Sequence, residues 1–341
     1  MMSACRKRST CLSPSWIALS VLICVVALNA RGEAEICLAG GDMEAATRSA
    51  LETTARHFFD LTAKGDAASL QHSAIPSLAS NFSGIESAVK DNQANFAGGQ
   101  ASVRPPFLLQ QQGAAPVERA EFLCGVFGAR GQTADSSVFV IPNLPPGNYG
   151  IVIMDVTTAQ NAYTLSFVLE QHGNDWQLGG LYAKPSQVGG HDGNWFLQRA
   201  REFKAKGQGH NAWFYFLEAR DLLAPLPFMS TLATDKIYDE AQAVQPADLP
   251  TESPVTLPGP KAYKVTSFFP LVVGNEVDLV VKYRSADVSN TAQTFQDNVA
   301  VIKAVVAKYP ELRDAFAGVV ARAVEPSGRD YGTLLPMKEI K

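Results

Sequence analysis

Apolar residues recur at helical spacing over 43–64, where Leu51, Thr54, Ala55, Phe58 and Leu61 share one face. Glu44, Arg48, Glu52 and Arg56 step along a flank with alternating charge, as on a solvated side. Gly65-Asp66 ends this predicted helix. A weaker helical stretch covers 67–75, and the polar run 81–112 reads as a loop carrying a short helix. Short runs rich in β-branched and aromatic residues then predict strands at 120–127, 137–141, 149–157, 162–172 and 176–183. Tyr163, Leu165, Phe167 and Leu169 alternate with polar partners, so their strand covers a core on one side. The run from Tyr149 to Val156 is apolar on both faces and predicts a central strand.

Helical spacing returns over 195–224 as a hairpin, with Asn194 and Asn211 as N-caps, and a further helix covers 230–244. Pro246, Pro250, Pro254, Pro258 and Pro260 mark 245–261 as a stiff linker. Beyond it, 263–269 and 276–283 read as paired strands. The stretch 291–308 reads as a helix with Phe295, Val299, Ile302, Val305 and Val306 inward, followed by strands at 316–324 and 331–337. The chain is thus expected to be α+β: a helix packed on a curved antiparallel sheet, a helical hairpin and a small C-terminal α+β module. The expected divisions are 35–190, 191–244, the linker 245–261, and 262–341.

The segments LETTARHFFDLTAKGDAASL and YTLSFVLEQHGNDWQLGGLYAKP resemble the first helix and late strands of nuclear transport factor 2-like (cystatin-like cone) domains. The resemblance implies that Trp176 and Tyr182 face the cone, where with Phe167 they line a ligand site. Cone-fold enzymes of the polyketide-cyclase and ketosteroid-isomerase type hold an acid–base pair in the cavity, and the candidates here are His57, Asp60, Asp155 and Tyr163. His57 and Asp60 fall off the buried helix face. Asp155, with Tyr163, is then the candidate base, or else a strand-end residue entering the Thr157-Thr158 turn. Phe196, Ala200, Phe203, Gly207, Ala212, Phe216 and Ala219 resemble one tetratricopeptide repeat, which cannot bury its faces alone and is expected to dock on the cone or on a partner. Residues 262–341 resemble no family.

Composition narrows this further. Arg6, Lys7 and Arg8, the uncharged run from Trp16 to Leu28, and the small residues Ala30, Gly32 and Ala34 predict a secretory signal peptide over 1–34. The chain is then exported, periplasmic or secreted, with no membrane span after cleavage. Apolar content of 46% and charged content of 18% fit a globular protein with a substantial core. A net charge of -4 without long runs of one sign argues against nucleic-acid partners. Cys37 and Cys124 remain after the signal, either as one disulfide or as two separate thiols.

No nucleophile elbow, phosphate loop, C-x-x-C or paired histidine ligands occur, so no metal or cofactor is expected. His191-Asp192, in a glycine-rich loop, reads as the lead into a helix cap. The expectation is a non-enzymatic exported binding or scaffold protein. It would hold a small apolar ligand in the cone or a protein partner on the hairpin, with a homodimer possible through the open cone sheet. The alternative is a cone-fold enzyme using Asp155.

Overall fold

The computed structural model describes residues 35–158, 161–273 and 276–341, so the expected signal peptide lies outside the described residues. The chain is α+β. The described residues open with β1 (Glu35–Ala39) and a layer of four helices: α1 (Ala45–Lys64), α2 (Ala67–His72), α3 (Pro76–Ala79) and α4 (Ser83–Phe96). Strands follow as β2 (Gln100–Val103), β3 (Phe107–Gln111), β4 (Val117–Gly128), β5 (Gly131–Leu144), β6 (Gly147–Thr157), β7 (Ala162–His172) and β8 (Asp175–Pro185). A short hairpin, β9 (Gln187–Val188) and β10 (His191–Asp192), leads into α5 (Gly193–Ala205) and α6 (Gly209–Leu223). The remainder is β11 (Met229–Thr231), α7 (Leu232–Gln242), β12 (Val255–Leu257), β13 (Tyr263–Val273), β14 (Glu276–Arg284), α8 (Thr291–Lys308), β15 (Gly318–Val324) and β16 (Asp330–Pro336).

The first sheet runs β1-β3-β6-β7-β8, with β2 also on β6, and is antiparallel throughout. Strand β6 is central, as its two apolar faces require. Val152, Met154 and Val156 pack under the helices, while Tyr149, Ile151 and Ile153 meet a second sheet, β11-β5-β4. Helix α1 lies so close to β6 that a side chain at Gly150 would come within 2.2 Å of Leu51. Gly65 ends α1 in the left-handed region, φ 73°, where glycine carries no steric cost. Cys37 on β1 and Cys124 on β4 form a disulfide, Cα–Cα 5.2 Å, that joins the edges of the two sheets.

The polar run 81–112 is more ordered than its composition predicts. It holds α4, β2 and β3, and α4 docks through Phe82, Val89 and Phe96, one contact every two turns. So sparse a stripe is enough because the sheet and α1 already supply most of the apolar surface.

The third sheet runs β12-β13-β14-β15-β16; β14 and β15 are parallel, joined across α8, and the other pairs are antiparallel. Leu279, Val281 and Tyr283 face α8 within one core that also contains Val301, Ile302 and Val305. Phe295, expected inward, is exposed; Thr294 and Asn298 are buried instead. Asn298 accepts from the Tyr283 hydroxyl at 2.7 Å and donates to Thr333 Oγ1 at 2.9 Å, a polar network that a search for apolar stripes passes over.

The α5–α6 hairpin docks on this C-terminal module. Phe214 and Phe316 sit 5.9 Å apart edge-on, and the Tyr215 hydroxyl donates to the Ala315 carbonyl. The 245–261 stretch joins the same core through buried Leu249 and Leu257, and β12 pairs with β13, so it is not a free spacer. His210 fastens it: Nδ1 lies 2.7 Å from Glu311 and Nε2 lies 2.9 Å from Asp248. Among the described residues no helix is long and apolar enough to cross a membrane.

Candidate functional site

Register on the central strands decides the fate of the cone candidates. Val156 pairs with Tyr163, and Asp155 pairs with Thr164. Asp155 and Tyr163 therefore project from opposite faces. Tyr163 is buried on the helix side, edge-on to Phe96 at 5.3 Å. Asp155 lies on the face shared with Ile151 and Ile153 and takes both nitrogens of a fork from Arg104, at 2.9 and 2.6 Å. The sequence could not choose a face for Asp155, because both faces of β6 are apolar. No acid–base pair forms between Asp155 and Tyr163, and His57 and Asp60 are exposed on α1.

The expected ligand lining is divided in the same way. Phe167 is fully buried and packs 5.9 Å from Phe58, and Trp176 packs on the same core. Tyr182 pairs with Ser166 on the other face and stands edge-on to Phe228 at 5.7 Å. A bulge between Val168 and Leu169, with Gly179 as the extra residue opposite, re-aims β8 after Trp176. The space between helices and sheet is taken by the chain's own side chains, Leu51, Phe58, Phe96, Leu165 and Phe167 among them.

A groove of about 430 Å³ opens instead along α5, lined by Trp195, Gln198, Arg199, Glu202, Tyr215 and Asp314. The first four recur at steps of three and four residues and so share one helix face. Asp192 sets the start of that face: its carboxylate caps α5 by accepting the Trp195 N–H at 2.9 Å. The cap is thus Asp192 and not Asn194. Asn211 is likewise no cap: it is buried within α6 and donates to the Glu311 carbonyl at 2.6 Å.

Trp195 remains 39% exposed at the mouth of this groove. The His191 ring lies flat on it, centroids 3.8 Å apart and planes within 10°. Phe196 meets it edge-on at 5.0 Å. Arg199 stands over Phe203 at 4.8 Å and reaches Glu202 at 2.8 Å, and its hydrogen bond holds the Glu202 carboxyl below the usual range. Burial pushes the Tyr215 hydroxyl up to about 12, so it stays a protonated donor to Ala315. A smaller cleft of about 220 Å³, between His191 and Glu276, continues the groove past the far side of Trp195.

The surface offers one planar aromatic anchor, Trp195, ringed by charges of both signs. The sequence pattern singled out none of Trp195, Gln198, Arg199, Glu202 and Asp314 as a site; the polar stripe one turn and two turns beyond Trp195 was the available signal. Among the described residues no cluster of three or more His, Cys, Asp or Glu could hold a metal ion. No protein-family profile, no curated protein and no solved structure matches the chain.

Proposed function

We propose that this chain is an exported, non-enzymatic binding protein that grips a partner protein in the α5 groove. The exposed Trp195, braced by His191 and flanked by Arg199 and Tyr215, carries the reading. Trp, Tyr and Arg are the residue types in which binding energy concentrates, and Gln198, Glu202 and Asp314 supply a polar rim around them. The Cys37–Cys124 disulfide, beside the signal-like N-terminus, supports work in an oxidising compartment. A helix layer over an antiparallel sheet is in keeping with a cone-like domain, and the α5–α6 pair with a single tetratricopeptide-like hairpin. The cone enzyme reading loses its pair, because Asp155 is held by Arg104 on the face away from Tyr163.

A photo-crosslinking residue at Gln198 tests the proposal in intact cells. The expected result is an adduct with a protein of the envelope or medium that is lost in Trp195→Ala. Absence of any adduct, or an adduct indifferent to Trp195→Ala, overturns it.

A further inference from the structure

The smaller cleft beside Trp195 joins an apolar wall to a carboxylate that nothing in the chain neutralises. Three parts of the fold build the wall. Val188 comes from β9, Phe196 from α5, and Val277, Ala315 and Ala317 from the start of β14 and the approach to β15. Val188, Phe196 and Ala315 are buried, so the wall stands ready without a partner. The backbone groups beneath it are already used. The Ala315 carbonyl accepts from the Tyr215 hydroxyl, the Val277 carbonyl from the Ala317 N–H, and the Ala317 carbonyl from the Met337 N–H. Glu276, the exposed first residue of β14, stands on the rim.

Of the three carboxylates along the groove, Glu276 alone lacks a partner among the described residues. In the larger limb Glu202 takes Arg199 at 2.8 Å, and Asp314 takes the Gln208 amide at 2.7 Å. The neighbour of Glu276 on the same strand is a further acid. The Asp278 carboxyl is pushed up first by burial and then by the charge of Glu276. The rim of the cleft therefore carries negative charge that the chain does not balance.

We infer that this cleft receives a lysine or arginine side chain from the partner segment that crosses Trp195. The inference rests on the partner-binding reading of the groove and adds a charge requirement to it. A long cationic side chain has an apolar stem and a charged head. The stem lies along Val188, Val277 and Ala317, and the head meets Glu276 at the rim. Trp195, on the boundary between the two limbs, attracts the same cation through its ring electrons. Size agrees: the cleft, at about 220 Å³, falls below the roughly 300 Å³ at which pockets for whole small molecules begin, and suits one side chain. Other side chains fit less well. An aliphatic one covers Glu276 without pairing it, and an acidic one meets a like charge.

The test is selection from a randomised peptide library displayed on phage, with the purified chain as target. Peptides that the wild type retains and Trp195→Ala loses are the groove binders, and they are expected to share a lysine or arginine. Replacing that residue by norleucine, which keeps a stem and drops the charge, is expected to weaken binding about fivefold in titration calorimetry. Glu276→Gln is expected to abolish this difference, and Glu276→Lys to select an acidic residue instead. Both substitutions fall on an exposed side chain and relieve its repulsion of Asp278, so thermal melts of the variants are expected to match or exceed the wild type. Groove binders with no common basic residue overturn the inference and leave the partner-binding reading standing. A basic preference that survives Glu276→Gln or Glu276→Lys does the same. Failure to obtain any binder that depends on Trp195 overturns the reading of the groove, and this inference with it.

Discussion

Glu218, on α6, has its carboxyl pushed up to about 7 by burial, with Asp221 adding to the shift and Lys184 opposing it. An unfolded chain releases that proton near 4.5, the folded chain only near 7, so stability falls as pH rises across that interval and levels off above it. Glu218→Gln removes the cost: it is expected to stabilise by about 1–2 kcal/mol at pH 8 and to change little at pH 4. Denaturant melts at the two pH values check this, and an equal effect at both would contradict it. Asp155 is a surface partner of Arg104, so Asp155→Asn is expected to shift stability by within about 0.5–1 kcal/mol and to abolish no activity. Thermal melts of the variant provide the measurement.

At the scale of elements, what the sequence disclosed depended on how each element is stabilised. Helix α1 was legible because it carries its own stripe, flank and glycine stop. Helix α4 was not, because its packing rests on three residues spaced two turns apart among polar neighbours. The caps of the hairpin were misplaced by two residues at α5, since Asp and Asn near a helix start are equivalent on paper and only the backbone geometry selects Asp192. That cap ties fold to site, because the amide it accepts from belongs to Trp195. Asp192→Ala is expected to cost about 1 kcal/mol and to loosen the stack between His191 and Trp195. Chemical denaturation reads the first effect and a change in tryptophan emission reads the second; unchanged emission would detach the cap from the groove.

At the scale of the whole molecule, the α+β class was readable from periodicity, whereas the way the elements share cores was not. Periodicity says that a face is apolar and leaves open what it meets. The hairpin's aromatic residues meet β13 through Phe268 and the turn before β15 through Phe316, and Leu249 and Leu257 bring the proline-rich stretch into the same core. A fragment spanning 262–341 loses all of these contacts. It is expected to show no cooperative thermal transition, and circular dichroism of the isolated fragment decides the matter. A sharp transition would restore the proline-rich stretch to the role of a mere spacer.

The disulfide has a topological consequence. Cys37 and Cys124 are 87 residues apart in sequence, and the segment between them contains all four helices of the first layer together with β2 and β3. That layer sits inside a closed covalent ring. In the entropic description a ring of this length stabilises the fold by about 4–5 kcal/mol through the unfolded chain alone. It also makes the layer tolerant of damage: a protease that severs one peptide bond anywhere in the ring opens the circle without separating the pieces. The nicked protein therefore travels as a single species on a non-reducing gel and parts into two only when the bond is reduced.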